Sequence, residues 1–350
     1  MTTLALVINL GSSSLKAALV DANGARPWRD SRNVGPDDSL EDVLDLWLAP
    51  MLEPYQDQVH LVGHRVVHGG IRFTAPTRIT PEVEATLETL VPLAPLHNPP
   101  ALKGLAWARR WAPELPQWAC FDTAFHSSLP AAAYTYAIPS EFRDRGFRRF
   151  GFHGINHQHV AETVAEQWRQ QGKDPSRLRL ISAHLGAGAS LAAIRGGICI
   201  DTTMGYTPVE GLVMATRSGS VDPGLVLELM REGYNADQMA RILQTESGLK
   251  GLSAFSGDMH DIRDAAAHGH LGAIRALDVF RHRLLQLLGA MASSLRGVDV
   301  LALTGGIGEH DKQLHAELSE ALTWWGDFEI VMIPADEEGM IARLCHRHEG

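Results

Sequence analysis

The chain has 350 residues, of which 45% are hydrophobic and 21% charged, and a formal net charge of −10. This is an ordinary globular composition with room for two domains. Its acidity and the lack of a long Lys/Arg run exclude a nucleic-acid coat, and no stretch approaches 18 apolar residues, which excludes a membrane helix.

The N-terminus has no basic n-region, and its apolar run breaks at Asn9 and Gly11, so it reads as a first strand and not a signal peptide. Residues 4–20 predict a β-hairpin whose turn is Gly11-Ser12-Ser13-Ser14. Segment 23–40 is polar and Pro/Gly-rich, a loop or degraded strand. Glu41 to Leu52 has helical apolar spacing, and Val59 to Val67 predicts a strand ending at His68-Gly69-Gly70. A short helix is expected over 82–90, no regular structure over the proline-rich 92–100, a helix over 101–111, and a strand over 117–121 running into Asp122.

Phe150-Gly151-Phe152-His153-Gly154 then precedes a helix over 157–171. Next comes a second small-residue hairpin, His184-Leu185-Gly186-Ala187-Gly188-Ala189-Ser190, built like the first. One such turn is most simply a tight β-turn. Two copies half a chain apart indicate a duplicated architecture, and small residues also let backbone N–H groups approach a phosphate. Helices are expected over 223–231, 236–244 and 272–295. The buried strand 298–303 ends in the glycine loop Thr304-Gly305-Gly306-Ile307-Gly308-Glu309 before a helix capped by Asp311. A strand over 330–333 and a helix over 337–344 close the chain, with Cys345 to His348 a solvated tail. Strands alternating with helices make the class α/β.

Three scattered cysteines (Cys120, Cys199 and Cys345) argue against a disulfide framework and for a reducing, cytoplasmic setting. The 17 histidines include pairs four apart, His64/His68 and His153/His157, without an H-E-x-x-H pattern, so a transition-metal site is not expected. Arg65 comes at the end of a strand and precedes Gly69-Gly70, and Arg217 lies in a Gly/Ser-rich loop. They are either solvated surface groups or planar clamps for carboxylate and phosphate oxygens. Asp122 at a strand's C-terminal end is a ligand or Mg²⁺ contact, or a helix N-cap. Glu337 and Glu338 open the last helix, where acidic residues also simply complement the dipole.

The segments Asn9-Leu10-Gly11-Ser12-Ser13-Ser14-Leu15-Lys16, His64 to Gly70, Phe121 to His126, Gly151-Phe152-His153-Gly154, His184-Leu185-Gly186, Thr216-Arg217-Ser218-Gly219 and Thr304 to Glu309 together resemble the acetate kinase (acetokinase) family. The resemblance implies two duplicated domains of the acetate and sugar kinase/Hsp70/actin (ribonuclease H-like) fold around a central cleft: 1–122 with 338–350, and 123–337. It implies ATP + acetate ⇌ ADP + acetyl phosphate by in-line transfer, Mg²⁺ or Mn²⁺ as the metal, and a homodimer.

By the same resemblance, Arg65 and Arg217 hold the carboxylate and the phosphoryl group, and His153 donates to that group. Asn9, Asp122 and Glu337 serve the metal. Asn9, Ser12, Ser14 and Lys16 line the first phosphate loop, with His184 and Gly186 on the second. Asp258 and His260 lie near the nucleotide, and Gly306, Ile307 and Gly308 lie against adenosine. Val67, Leu96, Phe152 and Pro208 wall the acetate methyl, with His97 in support. A propionate kinase is the close alternative. A nonenzymatic nucleotide sensor would lose charge at Arg65, Arg217 or Asp122, and none is lost. The chain departs from the family at Ala187 and His310, where Asn is usual, and at His260, where Arg is usual. All three fall on the nucleotide side, which raises weaker ATP binding or another donor such as pyrophosphate.

Overall fold

The computed structural model describes residues 3–11, 14–35, 38–95 and 97–349. They form two compact units, 1–127 with 152–159 and 336–350, and 128–151 with 160–335.

The first unit is built on a six-stranded sheet. Its strands are β1 (Leu4–Leu10), β2 (Ser14–Asp21), β3 (Trp28–Asn33), β4 (Val59–Val66), β5 (Thr77–Arg78) and β6 (Gln117–Phe121), in the order β3-β2-β1-β4-β6-β5. β1 pairs antiparallel with β2 and parallel with β4, which pairs parallel with β6. β1 is buried along its whole length, which explains a continuous apolar run instead of an alternating one. Alternate residues still choose opposite faces. Leu4, Leu6, Ile8 and Leu10 pack with Leu44, Leu48 and Trp107, whereas Ala5 and Val7 pack with Met340, Ile341 and Cys345 of the helix Glu337–Glu349.

The second unit repeats the topology. β7 (Arg179–Leu185), β8 (Ala189–Arg195) and β9 (Ile198–Thr202) form an antiparallel meander. β10 (Val300–Thr304) then pairs parallel with β7, and β11 (Glu329–Met332) parallel with β10, giving the order β11-β10-β7-β8-β9. The 25-residue helix Leu271–Leu295 packs across β7, β8 and β9. In each sheet the first hairpin carries one of the two small-residue turns, so the duplication read from those turns is a duplication of strand order.

Several expectations need correction. The proline-rich segment ends in a helix that starts at Asn98 and includes Pro99 and Pro100. Proline is tolerated there because first-turn N–H groups have no intrahelical acceptor. In the polar segment 23–40 the strand alternative holds in part, since it contains β3, an exposed edge strand on β2. Residues 41–52 are helical but widen into a π turn at Leu44–Leu48. The glycine loop after β10 is a short helix, Gly305–His310, entered through Gly305 at φ +79°. The tail 345–348 belongs to the last helix, because Ile341, Leu344 and Cys345 continue one buried face.

Segment 152–159 goes with the first unit because its start is pinned to the end of β6. Gly154 N donates to the Asp122 carbonyl at 2.9 Å. Among the described residues, no helix is long and apolar enough to cross a membrane.

Candidate active site

In the first unit, three strand ends bring polar side chains together. Arg65, near the end of β4, donates from Nη2 to Asp122 Oδ2 at 2.6 Å and from Nε to both carboxylate oxygens at 3.1 and 3.2 Å. Its Nη1 donates to Asn9 Oδ1 on β1 at 3.1 Å. The Asn9 amide donates in turn to Glu338 Oε1 at 2.6 Å. Parallel pairing of β1, β4 and β6 makes this possible, since it aligns their C-terminal ends. Burial opposes the Arg65 charge, but the carboxylates of Asp122, Glu337 and Glu338 more than offset it and hold its pKa above the ordinary value. Asp122 is 1% exposed, so this charge pair is largely withdrawn from water.

The cluster also tests whether a divalent cation fits. Asn9 Oδ1, Asp122, Glu337 and Glu338 are hard oxygen donors, and three carboxylates act on one guanidinium. An excess of carboxylate oxygen of this kind suits Mg²⁺, which takes one or two carboxylates and completes its shell with water and substrate phosphates. Among the described residues, no group of three or more His, Cys, Asp or Glu is arranged as a ready-made metal cage.

Other predicted residues of this unit lie close by. Phe152 is 1% exposed and meets the His68 ring edge-on at 5.4 Å, and the buried Val67 precedes that histidine. The Phe152 carbonyl accepts from His126 Nε2 at 2.9 Å. Burial outweighs that hydrogen bond and lowers the His126 pKa to about 4, so the ring is neutral. His153 has φ +56°, an uncommon conformation for a non-glycine residue, and its carbonyl accepts from His157 N at 2.9 Å as the helix Gly154–Gln170 begins. Such departures cluster at functional sites. Lys16 is exposed on β2 opposite Asn9, Ser14 closes the first turn by accepting from Gly11 N at 2.8 Å, and His97 immediately precedes the helix Asn98–Trp111. Ser12 and Leu96 lie outside the described residues.

In the second unit, the small-residue turn and the end of β10 meet. A Cβ on Gly186 would come within 3.8 Å of Gly306 N and 3.9 Å of His184 Nε2. Gly186 and Gly306 border a cavity of about 700 Å³ lined also by Ala187, Asp258, His260 and Ile307 among others. Gly308 is buried behind it, with Leu185 Cβ 3.7 Å from its would-be Cβ. Asp258 caps the helix Met259–Ala267 by accepting from His260 N and Asp261 N, so one carboxylate both starts that helix and places His260. Arg217 and Pro208 are brought together: Arg217 Nη1 donates to the Pro208 carbonyl at 3.0 Å.

The cavity also reveals residues with no signal in the sequence. Arg263 lines it, held by Asp311 at 3.0 Å and Glu317 at 2.8 Å, alongside Lys312 and Gln313. Its partners are 48 and 54 positions away, so no local motif announces them. Glu338 is similar: its partner Asn9 is 329 positions away. An acidic residue next to Glu337 was visible, but not its contact.

The family model described as the acetokinase family matches residues 33–330. The chain belongs to the acetokinase family. It is 43% identical to an acetate kinase of Synechococcus sp. (strain JA-2-3B'a(2-13)), over 92% of this chain and 87% of that protein. Among solved structures, the Porphyromonas gingivalis acetate kinase matches at 34% identity with a TM-score of 0.86, covering 97% of this chain and 98% of that one. A propionate kinase from Francisella tularensis matches at 31% identity with a TM-score of 0.88, covering 98% of each chain. This acetokinase therefore has the duplicated acetate and sugar kinase/Hsp70/actin fold, as its twin strand order already indicated.

Proposed function

We propose that the protein catalyses reversible transfer of the ATP γ-phosphoryl group to acetate, giving acetyl phosphate and ADP. The reading is carried by the Arg65–Asp122–Asn9 cluster, in a chain 43% identical to a named acetate kinase. Acetate is preferred to propionate because relatives 43% and 45% identical over 92% and 83% of this chain are named acetate kinases.

Acetate is ionised at neutral pH, so attack needs no general base. The barrier is anion repulsion together with charge spreading over an in-line phosphoryl group. Arg65, its charge secured by Asp122, and Arg217, its head held by the Pro208 carbonyl, are the residues we assign to that charge, with His153 as a hydrogen-bond donor. To Val67, Leu96, Phe152 and Pro208 we assign the methyl group, whose binding would orient the carboxylate. Gly186, Asp258, His260, Gly306 and Ile307, which line the 700 Å³ cavity, are assigned to the nucleotide together with His184 and Gly308, and Asn9, Ser12, Ser14 and Lys16 to its terminal phosphates. Mg²⁺ at Asn9, Asp122 and Glu337 would supply electrostatic neutralisation of the phosphates.

The three buried free thiols suit a cytoplasmic setting. We place the homodimer contact on the helix Pro223–Arg231. It has no buried residue, although Leu225, Leu227 and Met230 are 54%, 54% and 42% exposed.

The test is acetyl phosphate formation by Arg65→Ala and Arg217→Ala. Each is expected to lose roughly 10²–10³ in kcat. Wild-type turnover in either overturns the assignment.

A further inference from the structure

Arg149, Glu210 and Tyr136 have no part in the reading above, yet they hold the loop that carries Pro208. Arg149 Nη1 donates to three successive carbonyls, those of Thr202 at 3.3 Å, Thr203 at 2.9 Å and Met204 at 3.0 Å. Its Nη2 donates to Glu210 Oε1 at 2.6 Å. The other Glu210 oxygen accepts from the Tyr136 hydroxyl at 2.5 Å, and Tyr136 Oη accepts from Tyr206 N at 2.9 Å. Burial and the nearby Glu210 carboxylate raise the Tyr136 pKa, so the phenol remains a donor. Gly205 leaves room for the clamp: a Cβ there would lie 1.7 Å from Glu210 Oε2 and 2.2 Å from Tyr136 Oη, so a side chain at this position would displace both groups.

This knot fixes two stretches of chain. The Gly205 carbonyl accepts from Phe150 N at 3.0 Å and Gly151 N at 3.3 Å, just before Phe152 and His153 in sequence. On its other side, Gly211 and Ser220 close the loop: Ser220 N donates to Gly211 O at 3.0 Å and Gly211 N to Ser220 Oγ at 3.1 Å. Between these closures lies Pro208, two residues before Glu210, whose carbonyl holds the Arg217 guanidinium. A carboxylate bridging a guanidinium and a phenol is directional at both oxygens, which suits it to fixing a backbone position.

We infer that Glu210, clamped between Arg149 and Tyr136, is a positioning residue for phosphoryl transfer: it sets the Pro208 carbonyl that aims Arg217. The inference rests on the role given to Arg217 above.

The experiment is a double-mutant cycle of Glu210→Gln with Arg217→Ala, reading kcat and KM for acetate and the thermal midpoint. E210Q keeps the side chain's shape and removes its charge. Alone, it should lower kcat/KM for acetate roughly 10- to 100-fold, the worth of a charge-assisted hydrogen bond. Added to R217A, it should cost less than about twofold, because the group it positions is already gone. A purely structural role predicts the same loss in both backgrounds, and that result overturns the inference. So does wild-type kcat/KM in E210Q. If E210Q does not fold, Tyr136→Phe removes a single hydroxyl from the same clamp and runs the same cycle. R217A at wild-type activity would sink the underlying reading, an outcome distinct from a silent E210Q beside a crippled R217A.

Discussion

Adding a single methyl group at Gly154 tests how tightly the first unit's site is held. Gly154 is buried, and its Cβ would sit 2.2 Å from the Asp122 carbonyl oxygen and 3.1 Å from Phe125 Cβ. Contacts to a Cβ below 3.0 Å are essentially never seen, so Gly154→Ala must push the end of β6 and the helix start apart by about 0.8 Å or more. The neighbour is backbone and cannot swing aside. Overpacking of this kind costs about 1–3 kcal/mol of stability. The larger effect falls on activity, since both Asp122, which fixes Arg65, and His153 ride on the displaced segments. Misplacing catalytic groups by ~1 Å costs on the order of 10²-fold. We expect kcat to fall about 100-fold, with KM for ATP nearly unchanged because the 700 Å³ cavity is lined wholly by second-unit residues. Coupled ADP release and urea unfolding measure the two effects. Gly289→Ala is the control: it lies in the helix Leu271–Leu295 with nothing within 4 Å, and should be neutral or stabilising by about 0.5–1 kcal/mol. A Gly154→Ala enzyme within about threefold of wild-type kcat would refute the reasoning.

Burial lowers the pKa of both His64 and His126 to about 4, against the hydrogen bonds to Gln117 and Phe152 that raise it. Between pH 6.5 and 4 the unfolded chain therefore binds protons that the folded chain does not. Stability should rise with pH across this window and fall by about 3 kcal/mol per histidine at its acid end. Urea unfolding at pH 7, 5.5 and 4.5 should show that slope reduced in His126→Asn, and a pH-independent unfolding free energy contradicts it. Charging the exposed helix with Leu225→Glu and Leu227→Glu should convert a dimer to a monomer in sedimentation, and a wild-type monomer removes the proposed contact. Ala187→Asn with His260→Arg, both on the cavity wall, should lower KM for ATP severalfold and leave KM for acetate alone. Full ATP activity at ordinary KM in the unaltered enzyme, with no turnover of pyrophosphate, would remove the idea of a different donor.

What could be read in the sequence was local. The two small-residue turns are contiguous patterns, and they mark the same step in both sheets. Asp122 ended an apolar strand and Arg65 lay near the end of another, four residues before Gly69, so both could be singled out as candidates although a helix cap and a solvated surface group stayed open. Helix limits followed their caps, as at Asp311, which accepts from Leu314 N at 3.0 Å. The failures were non-local or context-dependent. Pro99 and Pro100 read as breakers because nothing in the sequence reveals that they fall in a first turn, where proline costs little. The last helix seemed to end at Leu344 because Cys345 to His348 is polar on average. Only packing against β1, β2 and β4 shows that Cys345 is buried. The Arg149–Glu210 pair spans 61 positions and follows no periodic rule.

The last helix has a consequence for how the protein is made. A ribosome delivers β1 and β2 long before Glu337–Glu349, at roughly 5–20 residues per second. Until that helix leaves the exit tunnel, Ala5, Val7, Ala18, Val20 and Leu61 lack the cover it gives them. The middle of the polypeptide can thus settle before its beginning can. The opening strands must wait, sticky and half-dressed, for a helix made more than 300 residues later.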